Sequence, residues 1–175
     1  MLLEVASDSR YDGNGTEVCL MASVILRQDV EGYWIDLNPD SKLFVMENVI
    51  HKMCSSDNLQ VISNLEDIVF QIAIHEFPET WTNALEVIGE YLTKDDALAL
   101  YGALCALRGI VRRFKTTLGL ERSHLHVIIK NAFPILEGIY ERHIDSNDEQ
   151  SIILMTVMTK IFYFANYVVP PKSNL

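Results

Sequence analysis

Few residues in this chain have the chemistry to form a catalytic or metal site, and their spacing argues against one. His124 and His126 make an H-x-H pair. On a helix, residues two apart diverge by about 200° around the axis, so these imidazoles are poor joint metal ligands and read as solvated surface groups. His75 precedes Glu76 at the end of an apolar run, where an imidazole suits the negative end of a helix dipole. Glu66-Asp67 and Asp95-Asp96 are adjacent carboxylates. General acid–base work needs a pocket and one raised pKa. The first pair reads instead as a solvated helix face, and the second as the acidic first turn of a helix. The sequence contains no P-loop, GxGxxG, GxSxG, HExxH or CxxC motif. No catalytic, cofactor-binding or metal-binding residue is therefore assigned, no cofactor is expected, and the chain reads as a binding protein rather than an enzyme. Arg108, Arg112, Arg113 and Lys115 form one basic group. Compensation of a helix C-terminus and salt bridges to neighbouring elements is its first expected role, and contact with an acidic partner patch the second.

Composition narrows the class of partner. The 175 residues are 49% hydrophobic and 22% charged, enough apolar material for a core. Asp plus Glu number 24 against 14 Lys plus Arg, a formal charge of -10. That balance argues against nucleic acid and against an anionic membrane surface, and it is compatible with a basic protein partner. Cys19, Cys54 and Cys105 lie far apart, each in an apolar run, which reads as reduced thiols in an intracellular protein. The first ten residues lack the basic region of a signal peptide. The longest apolar stretch, Ile152 to Val169, carries Lys160 near its midpoint, which argues against a membrane-spanning helix.

The elements that must position any binding surface are helices. Leu59, Ile62, Leu65, Val69 and Ile72 recur at helical spacing, with Asn64, Asp67 and Gln71 on another face. The pattern predicts a partial helix at 1–9 and helices near 16–34, 42–55, 58–76, 79–92, 95–115, 123–143 and 148–168. Capping boxes are expected at Asp57 with Gln60 and at Ser146 with Glu149, and Asp95 and Asp96 supply an acidic first turn. Pro78 fits a helix first turn, and Pro134 predicts a kink or break. Short links make antiparallel hairpins, and alternate helices start at a step of roughly 40 residues, the size of a HEAT or armadillo unit.

Ala97 to Ala106 is apolar nearly all round, as an interior helix of a solenoid must be, and Gly102, Ala106 and Gly109 form a small side that admits a neighbouring backbone. The fold expected is all-α: an α-solenoid of antiparallel helix pairs, a HEAT/ARM-like superhelix of about three and a half repeats. Neither end carries the polar outer face of a capping repeat, so residues 1–175 read as a single segment, a slice of a longer solenoid.

Five stretches carry a family resemblance: Val18–Trp34, Phe77–Leu92, Leu100–Lys115, Phe133–Ile144 and Ile161–Pro170. In order and spacing they resemble the N-terminal HEAT repeats of importin-beta superfamily karyopherins, nearest the importin-seven and importin-eight branch. The most specific parts are the FP-x-x-W segment at Phe77–Trp81, the helix ending Arg112-Arg113-Phe114, and the K-I-F-Y helix before Pro170. Trp34 and Trp81 are core residues on this reading. Leu26-Arg27-Gln28 stands where the family usually has Leu-Lys-Asn, and Cys19 lies near the place of an expected arginine, which puts family inter-helix contacts in question there.

The resemblance implies a non-enzymatic nuclear transport receptor shuttling between cytoplasm and nucleus. Its implied partners are Ran in its GTP form, basic protein cargo, and phenylalanine-glycine nucleoporins docked between outer helices. With the second helix of each pair on the concave face, the partner-binding stripes are Arg27, Gln28 and Glu31; Asn64, Asp67 and Gln71; and Arg108 with Arg112. The alternative is a HEAT scaffold subunit of another complex, needing neither Ran nor nucleoporins.

Overall fold

A computed structural model describes residues 2–5, 15–115 and 122–167. Among them are eight α-helices and no strand: α1 (Leu2–Val5), α2 (Gly15–Tyr33), α3 (Pro39–Ser55), α4 (Leu59–Glu76), α5 (Ala84–Leu92), α6 (Ala97–Arg113), α7 (Arg122–His143) and α8 (Glu149–Asn166). A single 3-10 turn, Trp34–Asp36, follows α2. The all-α solenoid expected from the periodicity is the fold. Residue 1 and residues 6–9 of the expected first helix lie outside the described residues.

The starts of the helices follow local chemistry, displaced by a residue or two from the sequence reading. Asn58, not Asp57, caps α4, accepting from the Gln60 and Val61 amides. Asp148, not Ser146, caps α8, accepting from the Ser151 amide at 2.8 Å, while the Ser146 hydroxyl donates to the Asp148 carboxylate. Each shift trades one good capping side chain for its neighbour, because the cap must sit where the chain leaves extended geometry. Asp96 caps α6 through the Leu98 and Ala99 amides. Helix α3 begins earlier than the apolar pattern indicates, since Asn38 caps it and Pro39 fills the first turn. Pro78 does not open a helix. The chain turns over Phe77–Thr80, with the Thr80 and Trp81 amides donating to the Glu76 carbonyl, and α5 starts only at Ala84. Helix α7 runs through Pro134 without a break.

The helices form two layers. α2, α4, α6 and α8 lie side by side in one; α1, α3, α5 and α7 make the other and pack against the first. Helix α6 is the centre, walled by α3, α4, α5 and α8. Its sequence permits this, because residues from Ala99 to Val111 are buried with the exception of half-buried Tyr101 and Arg108. The small side works as expected. A Cβ on Gly102 would stand 2.5 Å from the Met53 carbonyl oxygen, and one on Gly109 would stand 3.1 Å from that of Glu66. Two glycines therefore let α6 press against the backbones of α3 and α4 at once.

Val49, Met53, Leu65, Ile68, Leu104 and Leu107 are fully buried between the layers. Each such side chain contributes about 1.5–3 kcal/mol by leaving water. Trp34 and Trp81 are 2% exposed, and both are core residues as read. Each satisfies its indole N–H within its own layer, Trp34 to Glu76 Oε1 at 3.0 Å and Trp81 to the Met46 carbonyl at 3.2 Å. Apolar side chains reach the surface on both outermost helices of the first layer: Met21 and Ile25 on α2, Ile152 on α8.

Candidate binding groove

Polar ties run across the α2–α4–α6 layer, and each spans about one repeat step. Asn64 donates to Ser23 Oγ at 2.9 Å, 41 residues away. Arg27 donates to Asp67 at 3.3 Å, 40 residues away. Arg108 grips Glu66 with Nε and Nη2, 42 residues away. Arg112 donates to the other oxygen of Asp67 at 2.8 Å and lies 3.9 Å from the centre of the Phe70 ring. Asp67 is thereby shared by two guanidiniums, one from the helix on each side.

These ties decide where the expected stripe residues stand. Arg27, Asp67 and Arg112 do share the open side of the layer, each about one-third exposed. Arg108 is with them but is more deeply set. Gln28 and Glu31 are exposed and Gln71 is half-buried. Asn64 departs from the expectation of an exposed stripe: it is 3% exposed and faces Ser23 between α2 and α4. The Leu26-Arg27-Gln28 departure does not remove the interhelix contact there, because Arg27 itself makes it.

Glu66 departs as well. It was expected on a solvated face, yet it is 6% exposed beneath Arg108. The mutual ion pair and two charge-assisted hydrogen bonds compensate for its lost hydration. Burial alone would lower the Arg108 pKa, but the Glu66 hydrogen bond and charge outweigh it and hold it above the ordinary arginine value. The basic group at the end of α6 thus serves the first of its two expected roles. Arg108 and Arg112 tie to α4, and Arg113 donates to the Phe77 carbonyl.

Over α6 lies an open groove of about 420 Å³. Its walls come from α4 (Ser63, Glu66, Asp67) and α8 (Lys160, Tyr163, Phe164), and its floor from Arg108 and Arg112. Phe70, Lys160, Tyr163 and Phe164 were not singled out from sequence. Their signal was present in the alternation of the helices, which sets α8 beside α6.

Burial pushes the Cys54 and Cys105 thiols and the Tyr101 phenol up to about 12, so none supplies an anionic nucleophile near neutral pH. Among the described residues, no three His, Cys, Asp or Glu side chains converge as metal ligands. His126 and His75 are exposed, as expected. His124 is not a plain surface group: it is half-buried, and its Nδ1 has no hydrogen-bond partner among the described residues. No helix is long and apolar enough to cross a membrane among the described residues.

No family model matches the chain. Among curated proteins, it is 26% identical over 151 residues to a probable importin-7 homolog of Dictyostelium discoideum, covering 82% of this chain and 14% of that protein. It is 25% identical over 157 residues to importin-8 of Danio rerio, covering 81% of this chain and 15% of that protein. Against importin-8 of Homo sapiens it is 22% identical over 165 residues, covering 85% of this chain and 16% of that protein. The chain thus spans about one-seventh of the length of the curated relatives it matches. At this modest identity, over 81–85% of the chain, the similarity to importin-7 and importin-8 supports an importin-beta-like family.

Proposed function

We propose that this chain is one continuous segment of a nuclear transport receptor, which engages Ran in its GTP form on the concave face of α2, α4, α6 and α8. The observation that carries the reading is similarity to importins along 81–85% of the chain, which folds into helices alone among the described residues. Exposed apolar side chains at the two outer edges of the first layer support continuation into further repeats, because each edge is suited to another helix. On this reading the protein shuttles between cytoplasm and nucleus, takes basic protein cargo, and meets phenylalanine-glycine nucleoporins on its outer layer.

The charge distribution refines the partner assignments. Glu31 and Gln28 stand exposed on α2. They have the freedom to meet a partner that Arg108 and Glu66, locked together, lack. Exposed Glu47, Glu86, Glu90, Glu137 and Glu141 stand on α3, α5 and α7. Attraction for basic cargo therefore belongs to the outer layer.

Immobilised Ran, locked with GTP or loaded with GDP, tests the reading when challenged with native extract and blotted for this segment. Retention by the GTP form alone, lost in a Gln28→Lys/Glu31→Lys variant that melts normally, is the expected result. Retention by neither form assigns the chain to a HEAT scaffold of another complex.

A further inference from the structure

Three cations line the groove over α6, Arg108, Arg112 and Lys160, and a fourth, Lys115, lies beside it over the Phe164 ring that helps to line it. Among the described residues, two carboxylates, Glu66 and Asp67, line the groove with them. This is the reverse of the whole chain, in which 24 acidic residues face 14 basic ones. Glu66 neutralises Arg108, and Asp67 is divided between Arg27 and Arg112. Lys160 and Lys115 have no carboxylate partner among the described residues. Lys115 Nζ lies 5.7 Å from the Phe164 ring centre and 5.2 Å from that of Tyr167, over aromatic faces instead. Tyr163 stands beside Lys160 in the groove, 53% exposed.

We infer that the groove over α6 receives an acidic peptide segment of a partner protein. Its carboxylates meet Lys160, Lys115 and the open edge of Arg112, and an interspersed aromatic or aliphatic side chain rests on Tyr163. Charge complementarity selects this occupant. A phosphate backbone is the competing polyanion, and it is separated from the peptide by experiment. The inference goes beyond the transport reading and does not depend on Ran.

The test is a fluorescence titration of the full chain with a labelled twelve-residue Asp/Glu peptide carrying one Tyr. Controls are the Asn/Gln counterpart and a single-stranded oligonucleotide of equal length. The acidic peptide is expected to bind, to weaken as salt rises, and to lose affinity about tenfold or more in Lys115→Glu/Lys160→Glu. A charge-matched Lys94→Glu/Lys130→Glu variant, altered away from the groove, retains binding. Both variants spare the interhelix ion pairs, so unchanged far-UV circular dichroism accompanies either result. Equal affinity in the two variants, or equal binding of the Asn/Gln peptide, overturns the inference. Tighter, Lys160-dependent binding of the oligonucleotide also overturns it and assigns the groove to nucleic acid.

Discussion

Arg108 of α6 holds Glu66 of α4 through two guanidinium nitrogens, the Nε–Oε1 contact being 2.6 Å, and both side chains are largely withdrawn from water. Breaking such a pair strands a charge in a low-dielectric setting, whereas replacing both partners strands none. Glu66→Ala and Arg108→Ala are each expected to cost about 3–5 kcal/mol, and Glu66→Met/Arg108→Leu to recover most of that loss. Urea unfolding of the three variants measures it. Single-variant costs below about 1 kcal/mol would mean that the pair behaves as a surface salt bridge.

Glycines on the helices separate by what surrounds them. Gly102→Ala drives a methyl into the Met53 carbonyl, a backbone atom that a side-chain rotation does not move aside, so α3 and α6 must part. A loss of about 1–3 kcal/mol is expected, the range for overpacking. At Gly89 and Gly138 nothing lies within 4 Å of an added Cβ. Alanine there should gain up to about 1 kcal/mol of helix propensity. Thermal melts of the three variants should move in these opposite directions.

Acid should loosen the start of α8. Hydrogen bonds from Ser146 and Ser151 hold the Asp148 carboxyl well below the usual carboxylate range. A depressed folded-state pKa means that the carboxylate's stabilisation is complete above its unfolded value of about 3.9 and fades as pH falls below it. The melting difference between the parent and Asp148→Ala should therefore be constant from about pH 5 to 7 and shrink below about pH 4. A difference that stays constant through pH 3 would show that the cap works without its charge.

Thiol accessibility follows the layers. Cys54 and Cys105 are buried and Cys19 is half-buried. Of the three cysteines, only Cys19 should react with Ellman's reagent in the native protein, and all three should react after unfolding. Rapid native modification of Cys105 would mean that α8 detaches readily from α6.

The helices and their order were legible because α4 and α6 carry long apolar patterns of a single period. Gly102 and Gly109 could be read as a close-approach side for the same reason. The caps were less legible. Asp57-Asn58 and Ser146-Asp148 each offer two competent side chains, and backbone geometry chooses between them. The binding face was legible in outline but not in depth. Asn64 and Asp67 are three residues apart on one helix and look alike in sequence, yet Asn64 meets Ser23 inside the layer and Asp67 meets two arginines at its surface. Glu66 was misread because its partner lies 42 residues away. Buried charge is visible only once the repeat step is used to pair residues across helices.

Helix α6 is apolar on nearly every side, and its walls are made at different times during synthesis. α3, α4 and α5 leave the ribosome before it, while α8 begins 36 residues after its last residue, Arg113. Until then the flank that α8 covers faces water, in a nascent chain whose other contacts are already in place. Such a flank is what general chaperones recognise, and pausing between α6 and α8 prolongs its exposure. The two glycines that seat α6 so closely against α3 and α4 thus also set its vulnerability: the helix can dock early on one side, then must wait for the other.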